Sequence, residues 1–197
     1  MKKVFVLLAA VSLTVATSCK NVKKDADTAK EEAETVVKEI KEEAKVEVIK
    51  FKLESKSGST AVGEVEFAEE DGTVMMRATL SGLTPGEHAI HIHEKADCSS
   101  EDGKSTGGHW NPTHAPHGKW GAAEGYHKGD IGNFTADADG NAVVTFETDE
   151  WCIGCDDDTK NIDGKAIIVH AGVDDFVTQP TGAAGGRVSC GGIIQVQ

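Results

Sequence analysis

Aromatic side chains are scarce in this chain of 197 residues: they make up 5% of it, with a single Tyr. Proline is scarce too, with four. So few rings, set against 22 glycines, argue against a helical bundle and for a small β protein rich in turns. Cationic clusters are also missing. Lys and Arg total 20 against 33 Asp and Glu, a net charge of -13. No basic stretch could follow a phosphate backbone, which excludes nucleic acid as a partner. The acidic excess bears on solubility and long-range fields rather than on fold. No repeat of solenoid spacing occurs. The length allows one globular domain with extras.

Long apolar runs are absent except at the start, where Val4 to Val15 follows Lys2 and Lys3. This run is shorter than the ~20 residues a membrane helix needs. With small residues after it, it is predicted to be an export signal over residues 1–18. Ala16-Thr17-Ser18-Cys19 resembles a bacterial lipoprotein cleavage box, with Ala16 where Leu is usual. Cys19 would then be the lipidated first residue, anchoring the chain to a membrane of the bacterial cell envelope, in the periplasm or on the outer surface. Residues 19–45 are mostly Lys, Glu, Asp, Ala and Val, with Ala26, Ala29, Ala33, Val36 and Ile40 at heptad-like spacing and Glu34 four before Lys38. This reads as a charged helical tether, reaching roughly 35–40 Å if helical throughout. Four further cysteines remain: Cys98, Cys152, Cys155 and Cys190. An even count in an exported chain favours disulfides.

From residue 46 the apolar period changes to alternation. Strands are expected over 46–53, 62–67, 74–80, 88–93, 133–138, 142–148, 165–170 and 187–196. Asp71-Gly72 and Asp139-Gly140-Asn141 mark hairpins. Residues 94–130 hold Gly, Pro, Asn, Asp and Ser with no apolar period, the mark of a long functional loop. About eight short strands with regular turns imply an all-β fold, an antiparallel barrel or sandwich.

Six of the eight histidines fall in one ordered series. His91 and His93 alternate on a strand and so project to one face. His109, His117 and His127 follow in the long loop with Asp130, and His170 ends a later strand. His-Ile-His alone is a weak signal. Rigid strands and one folded loop that can bring seven donors together make a metal site.

The stretch Gly82 to Glu94, then Gly107-Gly108-His109-Trp110-Asn111-Pro112, His127-Lys128-Gly129-Asp130, Val169-His170 and Gly186-Arg187-Val188-Ser189-Cys190-Gly191 resemble, in order, the landmarks of the copper/zinc superoxide dismutases. The similarity covers about residues 46–197 and implies a Greek-key β-barrel with metal-binding and electrostatic loops. It implies copper on His91, His93, His109 and His170, and zinc on His109, His117, His127 and Asp130, with His109 bridging. Asp174 would orient ligands of both metals, Arg187 would guide the anion, and Cys98–Cys190 would form a disulfide. The implied activity is dismutation of superoxide, with His109 and Arg187 as catalytic groups; a homodimer is compatible with it. His88 matches a structural position, and His114 has no counterpart and reads as a solvated loop residue.

Two features depart from the family pattern. The segment from Asp175 to Gly186 contains no Lys, so steering of superoxide is expected to rest on Arg187, helped by Lys95, Lys119 or Lys128. Trp151-Cys152-Ile153-Gly154-Cys155 has a redox-type spacing, but Asp156, Asp157 and Asp158 should raise thiol pKa. A local disulfide is the first reading of that pair, exposed metal binding the second and redox catalysis the third. For the whole chain, the alternatives to an enzyme are a non-catalytic copper/zinc-binding envelope lipoprotein and a purely structural lipoprotein. Retention of all seven donors and of Arg187 favours the enzyme.

Overall fold

The computed structural model describes residues 47–195. The export signal, Cys19 and the tether lie outside them. Eight strands follow in chain order: β1 (Glu47–Ser55), β2 (Val62–Glu70), β3 (Thr73–Ser81), β4 (Gly86–His93), β5 (Gly132–Ala136), β6 (Ala142–Thr148), β7 (Ala166–His170) and β8 (Arg187–Gly192). All the expected strands are present. The last is shorter than its apolar pattern suggested, because Ile193 leaves the sheet to pair with Lys165 and Gly164 outside any strand.

The strands form one antiparallel sheet in the order β5-β4-β7-β8-β1-β2-β3-β6. Its two end strands, β5 and β6, lie against one another and nearly close a barrel. Hairpins account for β1–β2 and β2–β3, whereas the turn at Asp139-Gly140-Asn141 joins β5 to β6 without the strand pairing expected of a hairpin, because each pairs instead with a different neighbour, β4 and β3. The pairings of β3 with β6 and of β4 with β7 join strands distant in sequence, as Greek-key connections do.

Alternation explains the half of the sheet remote from the histidines. On β3, Val74, Met76, Ala78 and Leu80 are buried, while Met75, Arg77 and Thr79 face water. They meet Val65, Phe67 and Val144 in the barrel interior. The β2–β3 turn is Asp71-Gly72, both at positive φ, the two-residue geometry whose twist suits a hairpin.

On β4 and β7 alternation disappears from the burial pattern. Every residue from His88 to His93 and from Ala166 to His170 is buried. One face meets the core through Ile90, Ile92, Ile167 and Val169, and loops cover the other. Partner β5 reaches only as far as Ile90, so the next outward-facing backbone groups of β4 need partners. The long loop supplies them. Ile92 donates its N–H to Gly129, and Trp110 donates to Ile92, both across 2.9 Å or less. Gly129 must be glycine for this approach, since a Cβ there would lie 2.2 Å from the Ile92 carbonyl oxygen. Docking on that edge carries His109 beside His93, with Asp130 against His109.

Candidate metal centre

Two groups of donors converge. The ligand atoms of His91, His93, His109 and His170 all lie within 4.8 Å of one another, and so do those of His109, His117, His127 and Asp130. Every one of these residues is buried, and His109 belongs to both groups. The structure thus assembles all seven predicted donors. Of the other two histidines, His88 is buried between the carbonyls of His170 and Thr84, and His114 is exposed.

The ring nitrogens divide cleanly between anchoring and reaching inward. His91 donates from Nε2 to Asp174 Oδ2 at 2.9 Å. His93 donates from Nδ1 to the Gly107 carbonyl at 3.0 Å, and His117 from Nε2 to Asp174 Oδ1 at 2.8 Å. His91 Nδ1 and His109 Nε2 are buried with no hydrogen-bond partner, while His117 Nδ1 and His127 Nδ1 face the Asp130 carboxylate at 2.9 and 3.3 Å. The inward nitrogens of His93 and His170 face each other at 3.3 Å, and His109 Nδ1 lies 2.8 Å from Asp130 Oδ1. Buried polar atoms are nearly always satisfied. Two such orphans, and a buried carboxylate ringed by three imidazoles, fit cations: four imidazoles suit copper, and three with a carboxylate suit zinc.

Charge follows the same division. Burial, then the nearby His109 and His170 rings, hold His93 well below the ordinary imidazole pKa. Burial, then His91 and His109, do the same for His170. Burial takes His109 down to about 4 despite Asp130. These rings are therefore neutral at pH 7 and keep the lone pair a metal requires. For His117, burial acts downward, but Asp130 and Asp174 outweigh it and raise the ring to about 9. Burial acts upward on Asp130, yet hydrogen bonds from His109, His117 and His127 hold it far below the usual carboxylate range. Asp174 is lowered in the same way by His117 and His91. Two ionised carboxylates thus sit beside the imidazoles to balance incoming positive charge.

Asp174 links the clusters, accepting from one histidine of each. Asn133 fixes its backbone, and Phe176 donates to Oδ1 at 2.7 Å. Gly182 leaves room for the carboxylate, since a Cβ there would lie 1.7 Å from Oδ1, at a φ of +63°. Gln179 grips His117 by both backbone groups. Asn133, Gly182 and Gln179 were not singled out from sequence, because loop residues of these types carry no periodic signal.

Arg187 faces His170 in the β7–β8 register, beside a bulge at Val169/His170. The bulge re-aims the strand end. Nη1 donates to the Gly103 carbonyl at 2.8 Å and to Thr106 Oγ1 at 2.9 Å, and Nη2 donates to the Gly107 carbonyl at 2.7 Å. The Gly107 carbonyl also accepts from His93, so the guanidinium and that histidine share an acceptor. Cys98–Cys190 joins the long loop to β8 three residues beyond Arg187, and Cys152–Cys155 is also a disulfide.

One sequence expectation needs correction. Lys128 is not a free cation for steering an anion, because its ammonium is paired with Glu150 and mostly buried. Lys95 and Lys119 are exposed.

Residues 61–193 match the family model described as copper/zinc superoxide dismutase (SODC). A protein of Caulobacter vibrioides named superoxide dismutase [Cu-Zn] is 39% identical over 133 residues, covering 66% of this chain and 76% of that one. Among solved structures, a SOD-like protein from Bacillus subtilis superposes with a TM-score of 0.65 at 31% identity, covering 75% of this chain and 98% of its own. The clock protein EA4 does so with a TM-score of 0.66 at 32% identity, covering 78% and 97%.

Proposed function

The chain belongs to the copper/zinc superoxide dismutase family, and we propose that its two histidine clusters form a bridged copper/zinc centre that dismutates superoxide. The observation that carries this reading is His109. Its two ring nitrogens point into different clusters, Nδ1 toward Asp130 and Nε2 buried without a partner. A fully deprotonated imidazole can serve two cations only from such a position. His91, His93, His109 and His170 would hold copper; His109, His117, His127 and Asp130 would hold zinc. Copper bound there would supply one-electron redox chemistry, by which one superoxide is oxidised to dioxygen and a second, with two protons, is reduced to hydrogen peroxide.

The chain's own groups do the rest. His109 Nε2, which has no partner, is the atom that could hold a proton, while Nδ1 lies against Asp130. Arg187 offers a fixed cation near His170 for a small anion, and charge favours superoxide over neutral oxygen species. Its three hydrogen bonds hold it still, which a protein that merely stored metal would not need. Metal analysis of purified protein beside a superoxide-consumption assay tests the reading. One copper and one zinc per chain with rapid consumption is expected, and zinc-loaded protein that never takes up copper beside it would contradict the assignment.

Asp174→Asn offers a sharper check. The variant keeps only one acceptor oxygen for two imidazole N–H donors, and groups that orient metal ligands are typically worth about 10–100-fold in affinity. Chelator competition should show both metals weakened together, since Asp174 holds a histidine of each cluster. Loss confined to one metal would count against the link.

Steering rests on few cations. Lys128 is engaged, and Asp102 and Glu94 act on Arg187 from nearby. Activity is expected to fall as ionic strength rises, because salt screens the attraction, but less steeply than in relatives with lysines in the segment corresponding to 175–186. A rate that climbs with added salt would rule out net attraction. The export signal and lipid attachment at Cys19 are part of the same proposal, supported by the apolar run before Cys19. Mass analysis of the mature N-terminus checks them: an unmodified Cys19 would exclude the anchor.

A further inference from the structure

We infer that Glu150 and Trp151, braced by the Cys152–Cys155 cross-link, form a clamp that positions His127 and so sets how firmly the zinc cluster keeps its ion. The inference rests on reading His109, His117, His127 and Asp130 as the zinc site. A metal-binding histidine normally has its other ring nitrogen tied to a protein group that fixes its orientation. His91, His93 and His117 have such ties. Among the described residues, no hydrogen bond anchors His127 Nε2. The aim of this ring must then come from its backbone: Asp130 accepts from the His127 N–H at 2.8 Å and donates its own N–H to the His127 carbonyl at 3.1 Å, and the residues on either side complete the hold.

Both neighbours are held from one short segment. Tyr126 donates its hydroxyl to Glu150 Oε1 at 2.6 Å. The Lys128 ammonium pairs with Glu150 Oε2. Trp151 donates from Nε1 to the Lys128 carbonyl at 2.8 Å. One carboxylate and one indole thus grip the residues on either side of His127. The indole is itself immobilised at 1% exposure, with its ring 5.0 Å from Phe146, 5.6 Å from Trp120 and 6.1 Å from Phe67. Trp120 also packs on the Tyr126 ring at 4.8 Å. Five of the chain's few aromatic residues therefore gather at this single junction.

Beyond Trp151 the chain leaves the sheet, and the brace begins. Cys152 exchanges backbone hydrogen bonds with Lys160 and Ile162 at 2.9 and 3.0 Å, and Ile153 donates to Glu69 Oε2 at 2.7 Å. The disulfide closes the turn between. This gives the Trp-Cys-Ile-Gly-Cys stretch a role distant from thiol redox catalysis: it ends the clamp rigidly and keeps Trp151 from swinging out.

The test uses the copper- and zinc-loaded protein. Glu150→Gln keeps size while removing the charge, and Trp151→Phe removes the Nε1–H donor while keeping an aromatic ring in the core, at the cost of a small cavity. Zinc release to a chromogenic chelator is expected to quicken about 10–100-fold in the combined variant. Cobalt placed in the zinc site should show altered visible bands, and copper should be retained. Cys152→Ser with Cys155→Ser should quicken zinc release by a smaller factor, since the cross-link acts only through the clamp; release at the wild-type rate in this pair would remove the brace from the proposal. Unchanged release and unchanged cobalt bands in the combined variant would overturn the clamp. Parallel loss of copper and zinc with a lowered melting temperature would overturn it as well, because general loosening would then suffice. Failure of the wild-type protein to bind zinc would instead remove the reading beneath it.

Discussion

His109→Ala is expected to reduce superoxide consumption by more than about 100-fold, exceeding the roughly 10–100-fold typical of groups that merely orient ligands. No other described residue belongs to both clusters, so on the proposed reading one truncation would remove a copper donor, a zinc donor and the nitrogen that could hold a proton together. The hole cannot be mended by a neighbour: His91 and His117 are each tied to Asp174, and His93 to Gly107. Decay of a superoxide pulse in a rapid-mixing instrument measures the loss, and the copper electron-spin spectrum reports whether a nitrogen donor has left the copper site. His114→Ala serves as the control, since that exposed loop residue should leave the rate unchanged. A His109→Ala protein with wild-type turnover would remove the bridge from the mechanism.

Replacing Cys98 and Cys190 by Ser is expected to produce the largest loss of stability. The bond joins residues 92 apart, and closing so long a loop is worth at most about 4–5 kcal/mol in the chain-entropy account, with measured losses typically about 2–5 kcal/mol. For a domain of this size that is a fall in melting temperature of roughly 5–15 °C. Activity should fall too, for a geometric reason. Cys98 opens the segment carrying Gly103, Thr106 and Gly107, which hold the Arg187 guanidinium, while Cys190 lies on the strand that carries Arg187. The disulfide therefore fastens donor and acceptors to one another. Thermal melts and the superoxide rate at saturating copper, taken on the same samples, check both parts. Equal melting temperatures would dismiss the stabilising role, and an unaltered rate would dismiss the link to Arg187.

Much of the barrel was legible because β1, β2, β3 and β6 alternate with a period of two, as strands with one wet face must. The metal donors were legible for another reason. Buried imidazoles and a buried Asp are costly without a partner, so histidines recurring beside β-branched strands and within a Gly-rich loop point to a cation. Lys128 was misjudged because its charge is visible in sequence, whereas its partner Glu150 lies 22 positions further on.

Local chemistry alone specified the strands, the β2–β3 hairpin and the kinds of atom available to a metal, since propensity, period and donor type belong to individual residues and their near neighbours. Tertiary folding alone settled which nitrogen of each ring turns inward, that Asp174 reaches one histidine of each cluster, and that residues 150 and 151 grip both sides of His127. Those arrangements depend on loops docking onto β4 and β7, and a backbone edge left open by a short neighbouring strand selects its partner by three-dimensional fit rather than by any spacing along the chain.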